Sequence, residues 1–227
     1  MTVDSGHNGP ASLAVTNLAR RFGRNWALAG VSFELPAGAA LMVTGPNGSG
    51  KSTLLMCCSS LSRYHAGRIE FLGQELWPHR FALRRHLALL SHDNHLYEDL
   101  SALDNLRIHA RLGAIASRPQ IALQHVGLQD SQDKLVRSFS AGMRRRLALA
   151  RLLLHKPTLL LLDEPFAALD EQGRKLMTSA ILKHCNTGGM AIIATHLPSI
   201  TAPICPLHMQ LEQGVVSQFG PPQVNSL

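Results

Sequence analysis

The sequence predicts an α/β fold with a mainly parallel sheet, because short apolar strands alternate with helical segments along the chain. Residues 41–43, 159–162 and 190–194 are apolar runs of the length expected for buried strands. Helical segments are predicted at residues 52–61, after the first run, and at residues 171–185, after the second. Strands separated by helices pair in parallel, and such sheets bind their ligands at the carboxyl ends of the strands.

Further strands and a helical segment are predicted around this core. Residues 13–15 and 31–35 are short apolar runs between glycine and proline punctuation, and both are predicted strands. Residues 68–73 are typical of a hairpin strand that ends in a glycine turn. From about residue 93 the apolar residues recur at helical spacing, so residues 93–155 are predicted to form a mainly helical insert.

A single domain can accommodate these elements. A chain of 227 residues of which 45% are hydrophobic can bury a large core. We expect one domain over residues 12–227, with its core in residues 12–92 and 156–227 and a helical subdomain in residues 93–155. Residues 1–11 are predicted to be a flexible N terminus, because they are mostly polar or small and contain no basic and apolar targeting signal.

The chain is basic, with a formal net charge of +7. Such a charge permits an anionic membrane surface or nucleic acid as a neighbour but requires neither. The arginines occur in separate clusters at residues 20–24, 84–85 and 144–146, not in one stripe with interleaved aromatic residues. Direct binding of nucleic acid is therefore not expected.

The cysteines and the hydropathy pattern bear on the cellular compartment. Cys57, Cys58, Cys185 and Cys205 lack the C-x-x-C spacing of a metal site, so we expect reduced, mostly buried thiols in a cytoplasmic protein. No apolar run approaches the roughly 18 residues of a membrane span, since even the leucines at residues 159–162 are followed by two carboxylates. We therefore expect a water-soluble chain.

Residues 45–53 read Gly-Pro-Asn-Gly-Ser-Gly-Lys-Ser-Thr and match the phosphate-binding pattern G-x-x-x-x-G-K-[ST]. They lie between a predicted strand and a predicted helix, which is the context that this pattern requires. The glycines let backbone N–H groups converge on phosphate oxygens. Lys51 can reach the β- and γ-phosphates, and Ser52 can offer a hydroxyl group to Mg²⁺. The sequence thus predicts a site for a nucleoside triphosphate and Mg²⁺ that consists of Gly45, Pro46, Asn47, Gly48, Ser49, Gly50, Lys51, Ser52 and Thr53.

Two carboxylates and a histidine follow other predicted strands. Asp163 and Glu164 come directly after the leucine run, and His196 follows the strand at residues 190–194. The first carboxylate can hold Mg²⁺, directly or through water, and the second can orient or deprotonate an attacking water. The imidazole of His196 can reach the γ-phosphate. An adjacent acidic pair alone would indicate a turn or a helix start, but the phosphate loop upstream makes an active site the better interpretation.

The order of these motifs resembles that of the ATP-binding-cassette (ABC) ATPases over about residues 12–220. Residues 139–151 resemble the signature segment of that family, whose usual form is L-S-G-G-Q followed by a basic helix. Residues 159–164 match the Walker B strand of the family. Further matches are the D-loop at residues 168–170, the switch histidine at His196 and an adenine-stacking aromatic residue at Phe22.

The resemblance implies a RecA-like P-loop NTPase core, an N-terminal antiparallel β subdomain and a helical insert. It implies ATP and Mg²⁺ as cofactors. The roles that it assigns are catalysis by Lys51, Glu164 and His196, metal binding by Ser52 and Asp163, and further nucleotide contacts by Phe22, His92, Ser140, Gly142 and Asp170.

The signature segment also has a physical interpretation. Ser140 can cap the helix that begins near Ala141, and the backbone N–H groups around Gly142 then form an anion site at the helix start. The resemblance implies that this anion site meets the γ-phosphate held by a second copy. Two complete sites would therefore form only in a head-to-tail dimer, and an isolated chain would hydrolyse ATP slowly.

The chain departs from the family pattern at several positions. His92 stands where the family has a glutamine. Imidazole is a poor replacement for an amide oxygen on Mg²⁺, so His92 is expected to act through water or in coupling. Ala141 and Met143 replace a glycine and the glutamine of the usual signature, while the serine and the other glycine are kept. At least one of the arginines at residues 144–146 is expected to lie on a solvated face.

Chains of this length without a membrane span resemble the separate ATPase subunits of bacterial ABC transporters. The Ser-Ala-Gly signature, residues 163–166, His92 and the glycine pair at residues 188–189 resemble the CcmA subfamily, the haem-exporter ATPases of cytochrome c maturation. This resemblance implies integral membrane partners of the CcmB and CcmC type. It also implies a peripheral position on the cytoplasmic face of the bacterial inner membrane.

Three other functions remain open. Related exporter ATPases for drugs, lipids or polysaccharides share most of these features. A soluble ABC ATPase that acts on nucleic acid or ribosomes is a second alternative, although such proteins usually carry two cassettes, a long coiled coil or zinc modules. A nucleotide-gated switch without turnover is the third, and the presence of Glu164 argues against it.

Overall fold

The computed structural model describes residues 11–113 and 118–222. The predicted flexible N terminus at residues 1–11 thus lies outside the described residues, apart from Ala11, which begins the first strand. In chain order the strands are β1 (Ala11–Phe22), β2 (Asn25–Pro36), β3 (Ala40–Thr44), β4 (Ala66–Phe71), β5 (Gln74–Glu75), β6 (Leu87–Leu90), β7 (Leu159–Asp163), β8 (Met190–Ala194), β9 (Leu207–Glu212) and β10 (Val215–Gly220). The helices are α1 (Lys51–Cys58), α2 (Arg80–Leu83), α3 (Ala102–Leu112), α4 (Pro119–His125), α5 (Ala141–Leu154), α6 (Glu171–Asn186) and α7 (Pro198–Thr201).

The strands form two sheets. The central sheet has the order β10-β9-β3-β8-β7-β6, and the second sheet has the order β2-β1-β4-β5. In the central sheet β3 pairs in parallel with β8 and β9, and β7 pairs in parallel with β6 and β8, while β10 runs antiparallel along the edge. The second sheet is antiparallel throughout its described pairs. The predicted α/β fold with a mainly parallel core and an N-terminal antiparallel β subdomain is confirmed.

The central sheet separates two hydrophobic cores. Leu160 and Leu162 of β7 face the core that α3, α4, α5 and α6 complete, whereas Leu159 and Leu161 face the core that contains residues of α1 and the antiparallel sheet. Each of these four leucines is fully buried. Because both faces of a parallel strand are covered, β7 has a continuous apolar sequence and not an alternating one.

Several elements are absent from the sequence prediction or exceed it. β6, β9 and β10 are not predicted. β1 and β2 each contain 12 residues and are longer than the predicted strands. Both extend into a hairpin whose exposed residues, such as Arg21 and Trp26, interrupt the apolar pattern on which the prediction depends. α1 begins at Lys51, inside the phosphate loop and one residue before the predicted start, and it ends at Cys58, three residues before the predicted end.

A buried asparagine fixes the connection between the central sheet and the helical part of the chain. Asn105 of α3 is fully buried. Its side chain accepts a hydrogen bond from the Tyr97 N–H group at 2.8 Å and donates to the carbonyl oxygens of Tyr97 and Ser101, both at 2.9 Å. Buried polar groups that are fully bonded in this way hold a segment in one arrangement. The loop after β6 is thereby tied to α3.

The cysteines behave as the sequence predicts. All four lie buried as free thiols. Burial raises the pKa of Cys57 to about 11, and it also raises the pKa values of Cys58, Cys185 and Cys205. Within residues 11–113 and 118–222, none of the helices has the length and apolar character needed to cross a bilayer.

Arginine side chains of the antiparallel sheet and its surroundings lie over aromatic rings. The guanidinium carbon of Arg20 lies 4.6 Å from the centroid of the Phe22 ring. Arg80 lies 4.8 Å from the Trp77 ring and 4.4 Å from the Phe81 ring. Each of these pairs joins residues no more than three positions apart in the chain, so the contacts are local cation–π pairs.

Candidate active site

A cavity of about 350 Å³ opens at the carboxyl ends of β3, β7 and β8. This is the edge of the sheet at which a ligand is expected. The residues that line the cavity are Ala27, Asn47, Gly48, Gly50, Lys51, Ser52, Thr53, His92, Asp163, Glu164 and His196. The structure thus brings the phosphate loop together with both carboxylates and both histidines that the sequence indicates. Of the lining residues, only Ala27 belongs to none of the motifs that the sequence indicates.

The backbone of the phosphate loop has little room to change. Gly50 precedes α1 with a φ angle of 109°, and a Cβ atom there would collide with the carbonyl oxygen of Ala27. Ser49 donates from its N–H group to the Pro46 carbonyl at 3.2 Å and accepts from the Gly214 N–H group at 3.0 Å. Strand β2 and the turn between β9 and β10 therefore hold the loop from two sides. No side chain caps the start of α1, so its first N–H groups are available to a ligand.

Lys51 is the cationic group of the cavity. Its Nζ atom donates to the carbonyl oxygens of Gly45 at 2.7 Å and Pro46 at 3.0 Å. Burial lowers the pKa of Lys51, while the nearby charges of Glu164 and Asp163 raise it. The ammonium group is thus held by the loop's own carbonyl groups beside two carboxylates.

Glu164 and His196 form a pair across the ends of β7 and β8. The His196 N–H group donates to Glu164 Oε2 at 3.2 Å, and His196 Nε2 lies 3.6 Å from Glu164 Oε1. Oε1 is buried and has no hydrogen-bond partner within the described chain. Glu164 also has a positive φ angle of 49°, a strained conformation for a residue with a side chain. An unsatisfied carboxylate oxygen in a cavity is available to bind water or another donor.

The oxygen ligands of the cavity suit Mg²⁺. Ser52 has an exposed hydroxyl group and Asp163 a half-buried carboxylate, and both line the cavity. Among the described residues there is no group of three or more histidine, cysteine or carboxylate side chains that could hold a metal on its own. Mg²⁺ is commonly held by one or two protein oxygens together with substrate phosphates, so this ligand set fits it.

The signature residues lie outside this cavity. Ser140 caps α5 by accepting a hydrogen bond from the Met143 N–H group at 3.2 Å, as predicted. A Cβ atom on Gly142 would come within 2.8 Å of the Ala168 carbonyl oxygen, so the helix start packs directly on the D-loop. Asp170 caps α6 by accepting from the Gly173 N–H group at 2.7 Å.

Phe22 and His92 occupy different positions relative to the cavity. Phe22 is half exposed, does not line the cavity and carries Arg20 over its ring. His92 lines the cavity at its rim, with a fully exposed side chain whose Nδ1 atom lies 4.0 Å from Asp93 Oδ1.

Of the three signature arginines, Arg144 lies on a partly solvated face, as expected. Its side chain is 36% exposed, and its Nη1 atom lies 3.5 Å from Glu98 Oε1. The Nε group of Arg144 donates to the Phe139 carbonyl at 3.0 Å, and Arg146 donates to the Val126 carbonyl at 2.9 Å. Arg145 is buried and donates to the carbonyl of Asp163. The helical spacing of these residues does not reveal that carbonyl groups of other segments surround them.

The family model described as "ABC transporter" matches residues 28–167. This chain belongs to the ABC transporter ATPase family. The cytochrome c biogenesis ATP-binding export protein CcmA of Escherichia coli K12 is 41% identical over 169 residues, which cover 74% of this chain and 81% of that protein. The protein of the same name in Shigella flexneri has the same identity and coverage. The resemblance stated from the motifs is thus confirmed.

Solved structures of ABC ATPases have the same fold. The ATP-binding subunit of an ABC transporter superposes with a TM-score of 0.83 at 25% identity, covering 92% of this chain and 89% of that one. A dimeric ATP-binding cassette in a post-hydrolysis state, bound to ADP and Pi, superposes with a TM-score of 0.83 at 20% identity and covers 92% and 98% of the two chains. This ABC ATPase therefore binds and hydrolyses ATP as a transporter-type ATPase subunit.

The crowded loop of this ABC ATPase leads to a prediction for its glycines. Gly50→Ala should lower the free energy of unfolding by more than about 2 kcal/mol, because left-handed strain of about 1–2 kcal/mol adds to the collision with Ala27. Gly48 also has a positive φ angle, of 77°, but nothing lies within 4 Å of an added Cβ atom. Gly48→Ala should therefore cost only about 1–2 kcal/mol. Urea denaturation measures both, and equal losses would contradict the crowding at Gly50.

Proposed function

We propose that the cavity is a Mg²⁺–ATP site in which Lys51, Glu164 and His196 carry out hydrolysis. The observation that carries this proposal is the buried Oε1 atom of Glu164, which lies in the same cavity as Lys51 and has no hydrogen-bond partner among the described residues. A carboxylate with a free oxygen can accept a proton from water, or orient that water for attack on a phosphate.

The neighbours of Glu164 prepare it for this role. The main-chain N–H group of His196 holds Oε2, so the carboxylate has a fixed orientation while Oε1 stays free. The imidazole of His196 lines the same cavity and would contact the γ-phosphate. Lys51 would exchange its two carbonyl partners for β- and γ-phosphate oxygens, where its charge stabilises the transferring group.

The remaining residues of the phosphate loop would cradle the phosphates, and one of them, Ser52, would also border the metal. Ser52 and Asp163 would hold Mg²⁺ through a hydroxyl and a carboxylate oxygen. The metal would neutralise charge on the phosphate oxygens. His92, at the rim, would act through water or in coupling to other subunits.

A second copy would complete each site. Ser140, Gly142 and Asp170 lie outside the cavity of their own chain, although Ser140 and the N–H groups at the start of α5 form an anion-binding arrangement. In a head-to-tail dimer this helix start would face the γ-phosphate on the partner's phosphate loop. Phe22 would stack on the adenine bound to its own chain.

The wider role that we propose is haem-linked export in cytochrome c maturation. The support is the identity of 41% to CcmA proteins whose names describe cytochrome c biogenesis and ATP-binding export. The chain would sit peripherally on the cytoplasmic face of the bacterial inner membrane, with integral membrane subunits of the CcmB and CcmC type as partners. One ABC domain over residues 12–227, with a helical subdomain at residues 93–155, is part of the same proposal.

Glu164→Gln should lower kcat for ATP hydrolysis by about 10²–10⁴-fold, because an amide cannot accept the proton of water. ATP affinity should stay close to that of the parent, since the carboxylate is not proposed to bind the nucleotide directly. Phosphate release and nucleotide titration measure the two quantities. A variant that hydrolyses ATP as fast as the parent would leave a nucleotide-gated switch as the better description.

Ser140→Gly should lower turnover by about tenfold, because the hydroxyl group of the capping serine would be lost from the shared site. Ser101→Gly is the capping control: Ser101 Oγ accepts from the Asp104 N–H group at 3.0 Å and also donates to Asp104 Oδ2 at 2.7 Å. Loss of the cap should cost about 0.3 kcal/mol at either position, and Ser101→Gly should lose the second hydrogen bond as well. The rate of ATP hydrolysis per chain should also rise with chain concentration, because more of the chains then form dimers. Full-speed hydrolysis by a strictly monomeric chain would refute the shared site.

A tagged chain recovered from detergent-solubilised membranes should carry a multi-span membrane subunit with it. Cells without the chain should lose haem-stained c-type cytochromes, and the parent but not Glu164→Gln should restore them. Recovery of ribosomes or DNA in place of a membrane subunit would favour the soluble alternative. Normal c-type cytochromes in the deletion strain would point to export of a drug, lipid or polysaccharide.

A further inference from the structure

Arg145 of α5 joins three segments around the active site. Its Nη1 atom donates to the Ser91 carbonyl at 2.5 Å and to Asn94 Oδ1 at 3.3 Å, and its Nη2 atom donates to the Asp163 carbonyl. Ser91 and Asn94 belong to the loop after β6, while Asp163 ends β7. One side chain thus connects the signature helix to two segments that border the cavity.

The burial of this charge is unusual. Arg145 is 6% exposed, and arginine is rarely buried so far unless it has partners. Burial lowers the pKa of Arg145, while the charges of Asp163 and Glu164 raise it. The carboxylates of the active site therefore offset part of the cost of burying the guanidinium group. Its planar fork can serve two carbonyl groups at once, which the single ammonium group of a lysine does less well.

The segments that Arg145 joins are functionally distinct. Ser91 directly precedes His92, and both His92 and Asp163 line the cavity. On the other side, Ser140 lies five residues upstream of Arg145, at the start of the same helix. A displacement of either carbonyl group by a bound nucleotide would move the guanidinium group and, with it, the first turns of α5.

We propose that Arg145 is a positioning residue that couples the contents of the nucleotide cavity to the orientation of the signature helix. The inference rests on the proposed Mg²⁺–ATP site. Arg145 contacts no nucleotide itself. It acts through Asp163 and the loop that carries His92.

Arg151 provides a matched control on the same helix. It is 8% exposed, burial lowers its pKa, and its Nη1 atom donates to the His95 carbonyl at 2.9 Å, in the loop that Arg145 also holds. Its hydrogen bonds within the described chain do not include the end of β7. Loss of Arg151 should therefore disturb packing as much as loss of Arg145, without breaking the connection to Asp163.

The test compares Arg145→Gln and Arg151→Gln in the full-length chain by hydrogen exchange, with and without Mg²⁺ and a non-hydrolysable ATP analogue. The chain concentration is kept low enough for the chain to stay monomeric, so that a second copy cannot protect α5 directly. In the parent, the analogue should slow exchange at residues 45–53 and at residues 141–146. In Arg145→Gln the analogue should still slow exchange at residues 45–53 but should no longer slow it at residues 141–146. Its kcat should fall by about tenfold while KM for ATP stays within about threefold. In Arg151→Gln the analogue should slow exchange at both segments, and kcat should stay within about twofold of the parent. The drop in Tm should be comparable to that of Arg145→Gln.

Two results would overturn the coupling role of Arg145 and leave the proposed Mg²⁺–ATP site intact. One is a normal response of residues 141–146 in Arg145→Gln, and the other is an equal loss of kcat in Arg151→Gln. If Arg145→Gln does not fold, Arg145→Lys keeps the charge and should show a smaller loss of the same response. If neither Arg145 variant folds while Arg151→Gln does, Arg145 serves stability and the proposal is wrong. A parent without protection at residues 45–53 would instead refute the Mg²⁺–ATP site, and the coupling with it.

Discussion

The active site depends on three neighbouring parallel strands that end at the same edge of one sheet. β3 and β7 flank β8, with Val43 and Asp163 both in register with Ala194. Parallel neighbours lie about 4.8 Å apart, so groups that follow these strands must meet whatever their separation in the chain. The Glu164 N–H group donates to the Ala194 carbonyl at 2.9 Å, and the Thr195 N–H group donates to the Val43 carbonyl at 3.0 Å. The hydrogen-bond ladder thus continues into the active-site segments and fixes their relative positions.

The groups in the cavity could be predicted from the sequence because their chemistry is local. Lys51 follows a glycine-rich pattern, and Asp163 follows a leucine run, so each is recognised from a few neighbouring residues. The parallel pairing of their strands follows from the alternation of strands with helices. These two facts together place the phosphate loop and the carboxylates at one edge, as the structure has them.

The remaining features could not be predicted because they depend on contacts between distant segments. The close approach of Gly50 to Ala27 joins the start of α1 to β2, and two of the three hydrogen bonds of Arg145 span more than 50 residues. The sequence presents three consecutive arginines, and only the packed structure shows that one is buried. β10 is a half-buried edge strand whose apolar and polar residues do not alternate, so its periodicity is weak. β9 lies between β10 and β3 and does alternate apolar and polar residues over Leu207–Glu212, so this strand could have been predicted from the sequence.

The buried thiols have a practical consequence for anyone who wishes to follow the motions of this ABC ATPase. Alkylating reagents attack the thiolate, and a raised pKa together with burial makes that species scarce and inaccessible at neutral pH. A single cysteine introduced on the surface would then react with a fluorescent or spin label, while the native thiols would not react. Distance probes could therefore be attached without replacing the four native cysteines, so the hydrophobic cores would stay unchanged.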